Sequence, residues 1–412
     1  MTEVLIIGGG LAGLSAAQVF HKKNISYQLL EADTRVGGRI KTDLVDGYRL
    51  DRGFQVLLTA YPETKKYLDY EALNLKSFYP GAVILQEKGK TEIGDPLRKP
   101  SSLLKTVFAN VGNIQDKVNI LRLRLQLGQA SVEEIFGREE ISTLEALKAY
   151  GFSNQMIEQF FKPFMGGIFL ESNLSTSRRM FDFVFKMFSS GDTSVPALGM
   201  EEIPKQMLQK LNPQNIHLEK EVQFIEKGRV ICKGGAEYQA KRILIATEAT
   251  GLVQQYAPKT KTDAHAVTCV YFYADKAPLS KPILILDARP ESLVNNVAVM
   301  SQVSPDYAPK GKVLISVSIN GLPKHSTEEL SALIKQTLFP SLGDSVLGWR
   351  PLKSYPIRYA LPNQTQVNGK IEAEKIKLRE DLYQTGDFLL NGSINAAMQA
   401  GRESAEIIAS SL

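Results

Sequence analysis

Val4-Leu5-Ile6-Ile7-Gly8-Gly9-Gly10-Leu11-Ala12-Gly13 is the stretch whose reading decides the fold. Four consecutive aliphatics describe a parallel strand buried on both faces. Gly8, Gly10 and Gly13 then satisfy the Gly-x-Gly-x-x-Gly spacing, and Leu11 to Phe20 reads as a helix rich in alanine and leucine. Gly8 permits the tight turn, Gly10 lets a pyrophosphate approach the backbone, and Gly13 lets the helix pack closely on the sheet. Leu11 and Ala12 open that helix, whose free amide N–H groups face the phosphates. A second strand, Tyr27-Gln28-Leu29-Leu30, ends in Glu31, 18 positions after Gly13. A carboxylate there accepts hydrogen bonds from ribose hydroxyls and repels a 2′-phosphate. Glycine-rich turns alone are common; the flanking strand, the helix and the closing acid make this one a nucleotide site.

The signature continues through Ala32-Asp33-Thr34-Arg35-Val36-Gly37-Gly38-Arg39, which sets two guanidinium groups around a glycine pair. Asp46-Gly47-Tyr48-Arg49-Leu50-Asp51-Arg52-Gly53-Phe54-Gln55 follows, and near the C-terminus Leu382-Tyr383-Gln384-Thr385-Gly386-Asp387 precedes a helix starting near Ser393. Ile394, Ala397, Met398, Gly401, Ala405 and Ile408 fall on one face of that helix. Together these stretches resemble the flavin-containing amine oxidoreductase superfamily, which includes amine oxidases, protoporphyrinogen oxidases and phytoene desaturases. The resemblance implies an α/β fold: a discontinuous Rossmann-like FAD-binding domain with a mixed α+β substrate domain. It places Arg35, Gly37, Gly38 and Arg39 around the dinucleotide, Gly53 and Phe54 beside the isoalloxazine ring, and the Val222 backbone against adenine. Ala32 continues the ribose side, Gly386 and Asp387 meet the ribityl chain, and the helix at Ser393 and Ile394 points its positive end at the pyrimidine ring. Asn395 and Ala396 stand where the family usually has Glu and Gly. No cysteine lies near this motif, so non-covalent FAD is expected; no second glycine fingerprint and no Cys-x-x-Cys occur, which disfavours a disulfide reductase.

The remaining composition is that of an ordinary globular protein. The chain has 412 residues, 43% hydrophobic and 23% charged, with a net charge of +5. That bias is too weak for a nucleic-acid footprint, and no nucleic-acid partner is expected. Two cysteines and four scattered histidines offer neither a disulfide framework nor metal-ligand spacing, so no metal is expected. No run reaches the roughly 18 apolar residues of a spanning helix, and the strand at Val4 leaves no room for a signal peptide, so the expectation is cytoplasmic. The implied domain order is FAD-binding 1–75, substrate 76–204 (largely helical), FAD-binding 205–255, substrate 256–374 (strand-rich) and FAD-binding 375–412.

On the substrate side, Phe160 to Phe169 and Arg178 to Phe188 carry aromatic residues at helical spacing, with Phe181, Val184, Phe185 and Phe188 on one face. Such stripes are usually core; the alternative is the wall of a cavity for a long hydrophobic substrate. Phe164 and Phe181 are therefore substrate-side candidates, joined by Tyr355 and Tyr359 in a stretch similar to the family's segment ending Ala-Leu-Pro. Amine oxidases commonly carry a lysine where Thr268 stands and an aromatic residue where Ser393 stands, which weakens an amine reading. The expected chemistry is hydride transfer from a C–H bond of a hydrophobic substrate, isoprenoid or porphyrinogen-like, to flavin N5, with oxygen or a quinone as electron acceptor. The alternatives are an amine oxidase releasing hydrogen peroxide and a non-catalytic lipid- or protein-binding scaffold of the same fold. Residues 97–127 read as a basic amphipathic segment, either a domain helix with a solvated face or a peripheral contact with the inner face of a membrane.

Overall fold

The structure, a computed structural model, describes residues 2–103, 106, 109–260 and 263–412. Five parallel strands form its first sheet in the order Ile216–His217, Tyr27–Leu30, Thr2–Ile7, Glu237–Ile245 and Leu382–Gln384. An antiparallel hairpin, Val222–Glu226 and Arg229–Cys232, extends from the first residues of Glu237–Ile245. The aliphatic run of Thr2–Ile7 is buried on both faces, as its sequence demands. Val4 and Ile6 pack with the helix Leu11–Lys22, whereas Leu5 and Ile7 pack with Val230 and Val253 on the other side. The C-terminal helix Ile394–Ala409 crosses Leu11–Lys22 at Gly401, where a Cβ would lie 2.0 Å from the Ala12 carbonyl oxygen.

A second sheet runs Arg350–Pro362, Ala264–Ala274, Val313–Asn320, Asn296–Val299, Leu284–Asp287, Gly81–Gln86 and Gly89–Gly94. Its far face, with Val270, Phe272, Ile315 and Val317, buries Trp349 and the helix Thr327–Leu342 through Leu330, Ile334 and Leu338. Its near face meets the first half of the molecule directly. The Tyr271 hydroxyl donates to the Asp51 carbonyl at 2.9 Å, and the Tyr355 hydroxyl to Asp43 Oδ2 at 2.8 Å.

The strands Gly81–Gln86 and Gly89–Gly94 open the piece 76–204, which was expected to be largely helical. Val83, Ile84 and Leu85 are a short apolar run, which periodicity alone cannot separate from a helix. The basic segment at 97–127 is likewise not one helix. Gly112, at φ +63°, breaks the chain, and Asn113 restarts it as the helix Ile114–Gln129 through a capping box with Asp116. Leu104, Lys105, Val107 and Phe108 of that expected face lie outside the described residues. The aromatic helix spans Arg178–Ser190. Among the described residues no helix is long and apolar enough to cross a membrane.

Candidate active site

The nucleotide end is built from backbone. Gly8 holds φ +111°, and a Cβ on Gly13 would stand 1.9 Å from the Gly8 carbonyl oxygen. Helix Leu11–Lys22 begins at Gly10 with no side chain capping it, so its first-turn amides stay available to an anion. Across from them, a Cβ on Gly38 would reach the Gly10 Cα at 3.2 Å; the two glycines leave a slot that any side chain would fill. Glu31 is oriented by two amides, accepting from Gly9 N at 2.6 Å and Asp33 N at 2.9 Å.

Beside this turn lies a cavity of 260 Å³ lined by Gly8, Glu31, Ala32, Val222, Thr247 and Gly251, among others. Four of these residues were named from sequence. Thr247 and Gly251 were not, because they follow the strand Glu237–Ile245 without a motif of their own. The lining chemistry fits an adenosine: one carboxylate oriented by amides for ribose, and Val222 at the hairpin's start for the base.

The two arginines of the glycine pair part company. Arg39 Nη2 reaches Asp387 Oδ2 at 2.7 Å, across 348 residues of sequence, and Nη1 reaches the Ala360 carbonyl at 3.1 Å. Its guanidinium also lies 5.5 Å from the centre of the Tyr359 ring. Arg35 instead pairs with Glu201 at 2.8 Å, with the Thr42 carbonyl at 2.9 Å, and with Asp43. It braces the hairpin Thr42–Val45 and Tyr48–Asp51 rather than joining Arg39. Asp43 also receives Arg52 and Tyr355. Burial opposes its ionisation, yet the hydrogen bonds from Arg52, Tyr355 and Arg35 hold its carboxyl well below the usual range.

Gly386 and Asp387 follow the last parallel strand directly, and Ser393 caps the C-terminal helix. The Ser393 hydroxyl accepts from Ala396 N at 3.0 Å and donates to Asn391 Oδ1 at 2.7 Å. Ile394, the first residue of that helix, is half-buried. Asn395 takes on a structural job: its buried Oδ1 accepts from Glu63 N at 2.9 Å, and Glu63 in turn pairs with Arg402 at 2.5 Å. The sequence hint was the asparagine itself, standing where the family's glutamate is absent.

Gly53 keeps φ +94° with Ile357 Cδ1 2.8 Å from where its Cβ would be, and Phe54 sits edge-on to Phe78 at 6.0 Å. Just before them, Asp51 is buried, accepting from Thr42 Oγ1, Met200 N and the Tyr307 hydroxyl. Burial pushes its carboxyl up to about 6.

The four substrate-side candidates fall into two groups. Phe164 stacks on Phe160 and touches Phe188, both at 5.3 Å between centroids, while Phe181 is fully buried among Tyr150, Phe161 and Phe185 as core. Tyr355 has its hydroxyl committed to Asp43. Tyr359 is buried beside the Arg39 guanidinium, and burial pushes its pKa up. Strand parity separates Thr268 from its neighbour. Cys269 shares the near face with Tyr271 and Tyr355, whereas Thr268 turns the other way and bonds the Gly321 carbonyl at 2.9 Å. The near-face residue at this point of the strand is Cys269, whose thiol burial raises to about 11, and neither it nor Thr268 is a lysine.

With this geometry in hand, the chain can be set beside known proteins. A family model described as flavin containing amine oxidoreductase matches residues 11–409. The chain is 26% identical to protoporphyrinogen oxidase 2 of Arabidopsis thaliana over 165 residues, covering 40% of this chain and 32% of that protein. It is 24% identical to 4,4′-diapolycopen-4-al dehydrogenase of Metabacillus indicus over 177 residues, 39% of this chain and 35% of that one. The alignments thus span about a third of these curated relatives. An oxidoreductase structure from Methanosarcina mazei superposes with a TM-score of 0.72 at 17% identity, covering 98% of this chain and 100% of that one, a likeness of fold. The match over residues 11–409, on a chain whose glycine slot, adenosine cavity and Arg39–Asp387 pair are in place, shows that the protein belongs to the flavin-containing amine oxidoreductase family, with FAD as its cofactor.

Proposed function

We propose that the protein is an FAD-dependent oxidoreductase that takes a hydride from a C–H bond of a hydrophobic substrate. The observation that carries this reading is the Arg39–Asp387 pair, which draws the phosphate-side and ribityl-side motifs together at 2.7 Å. Bound FAD supplies the hydride acceptor at N5. The chain's own residues bind and orient it. Gly10 and Gly38 admit the pyrophosphate, Gly13 lets the helix close on the turn, Glu31 and the Val222 hairpin hold the adenosine, and Arg39 with Asp387 clamp the middle. The amino end of Ile394–Ala409 offers positive potential to the pyrimidine side. Gly53 and Phe54 bound the ring together with the near face of the second sheet. On that face Tyr271 and Tyr355 exclude water, and no histidine lies in the strand Ala264–Ala274 beyond His265 at its start.

The relatives' names, a protoporphyrinogen oxidase and a diapolycopenal dehydrogenase, support a hydrophobic substrate, and oxygen or a quinone then serves as electron acceptor. Neither Thr268 nor Cys269 supplies an amine oxidase's lysine, which counts against a peroxide-releasing amine oxidase. A glycine slot and an ion pair joining two distant cofactor motifs count against a non-catalytic scaffold. Division of labour follows the sequence: residues 1–75, 205–255 and 375–412 hold the cofactor, and the rest holds the substrate. An anaerobic screen of flavin bleaching across amines, porphyrinogens and isoprenoids tests the proposal. Bleaching by apolar substrates is the expected outcome, and bleaching by simple amines alone would overturn it.

The helix Ile114–Gln129 bears on how such a substrate arrives. Its buried side packs through Leu123 and Leu127, while Ile114, Val118, Leu121 and Leu125 form an exposed stripe, Ile114 at 76% and Leu125 at 58%. Residues 97–127 carry six basic residues against one acid, Asp116, which is buried as a cap. That combination supports peripheral contact with an anionic membrane. Co-sedimentation with anionic vesicles, lost in Leu121→Glu/Leu125→Glu, is the expected result; no binding to such vesicles would exclude it.

A further inference from the structure

The amino end of the helix Ile394–Ala409 lacks the negative charge that comparable helices of this chain carry. Among the described residues three helices run for 16 residues. Ile114–Gln129 and Thr327–Leu342 each close their amino ends with a capping box, through Asp116 and Glu329. Ile394–Ala409 has a neutral serine cap and no acid in its first turn. An acid at that end complements the helix dipole and stabilises the helix.

The second residue of this turn could carry an acid without rearrangement. Asn395 is 4% exposed, and its Oδ1 accepts from Glu63 N at 2.9 Å. That task needs only an acceptor, and an aspartate of the same shape supplies one. The chain uses the neutral isostere, a departure from the helix rule that no structural gain repays. The acids nearby are cancelled. Glu63 Oε1 accepts from Arg402 Nε at 2.5 Å and Oε2 from Arg402 Nη2 at 3.3 Å, and Lys66 adds a contact at 2.9 Å. Arg402 lies two turns beyond Asn395 on the same helix. Asp387 is spent on Arg39 at 2.7 Å.

We propose that Asn395, with Glu63 held on Arg402, keeps this helix end free of negative charge and so raises the reduction potential of the bound flavin. This proposal rests on the reading above that the helix end faces the pyrimidine side of FAD. Reduction places negative charge on that side, and an uncancelled positive potential binds the reduced cofactor more tightly than the oxidised one. A more oxidising flavin matches a donor C–H whose carbon has no neighbouring nitrogen lone pair to help expel the hydride.

The test is a potentiometric titration of the FAD-loaded protein, comparing wild type with Asn395→Asp, Asn395→Ser and Glu63→Gln. Asn395→Asp keeps the acceptor for Glu63 N and adds one charge; Asn395→Ser alters the packing and adds none. In Asn395→Asp the affinity for reduced relative to oxidised FAD is expected to fall about tenfold, which for a two-electron couple puts the midpoint about 30 mV lower. Asn395→Ser should keep the wild-type midpoint. Glu63→Gln, which removes a negative charge beside the same helix, should move it the opposite way. A midpoint unmoved by Asn395→Asp, an equal fall in Asn395→Ser, or a fall in Glu63→Gln would overturn the tuning and leave the flavin reading intact. A wild-type protein that takes up no FAD would overturn both.

Discussion

The cofactor end of this molecule and the near face of its second sheet are built by different means. At the cofactor end the recognising atoms are backbone: the amides after Gly10, the slot between Gly10 and Gly38, the turn at Gly8. On the near face of the second sheet the atoms that meet the first half of the molecule belong to side chains, Tyr271 and Tyr355, set on one face by the register of two neighbouring antiparallel strands. A backbone site tolerates almost no substitution and writes itself into sequence as glycines at fixed spacing. A register-built face can be made from many side chains and leaves little local trace.

The sharpest way to break this contrast is at Gly13. Gly13→Ala drives a methyl into the Gly8 carbonyl at 1.9 Å, and a loss of about 3 kcal/mol or more is expected, read as a lowered melting temperature with flavin lost. Asp51→Asn comes next. Its carboxyl sits at about 6 in the fold against 3.8 unfolded, so the folded state binds more protons between those values and stability falls as pH rises through that window. The asparagine keeps the shape of the protonated form; denaturation against pH should show it more stable than wild type above pH 6, by about 3 kcal/mol, and level with it near pH 4.

Asp387→Ala tests the clamp. With the Arg39 guanidinium left unpaired, FAD affinity should drop about tenfold, a change worth about 1.4 kcal/mol, in an apoprotein titration. Arg35→Ala is the smallest and the most discriminating. Because Arg35 is spent on Glu201, Asp43 and Thr42, it should lower stability by about 1 kcal/mol while FAD affinity stays at the wild-type value.

The same contrast explains what the sequence could disclose. The strand–turn–helix at Val4–Phe20, Glu31, the Gly38–Arg39 pair and the Gly386–Asp387 terminus were legible because each is local and chemically constrained. The pairing of Arg39 with Asp387 rather than Arg35 was not, since both arginines share one motif and only the hairpin at Thr42–Asp51 decides which is captured. The strands at Gly81–Gly94 were hidden by an apolar run too short to show its period. Thr268 was matched by motif position alone; strand parity adds that its neighbour Cys269 is the one on the near face, because neighbouring residues face opposite sides of a sheet.

The central claim, that this groove is built for a flavin carrying an adenosine, is tested most directly by titrating the apoprotein with FAD and with FMN. On this account the cavity at Gly8, Glu31 and Val222 is the place for the half of the cofactor that FMN lacks. Tight uptake of FAD, weakened by Glu31→Ala, with FMN bound at least a hundredfold more weakly is the expected result, a gap of about 2.7 kcal/mol. Equal affinity for the two flavins, or no uptake of either, would contradict it.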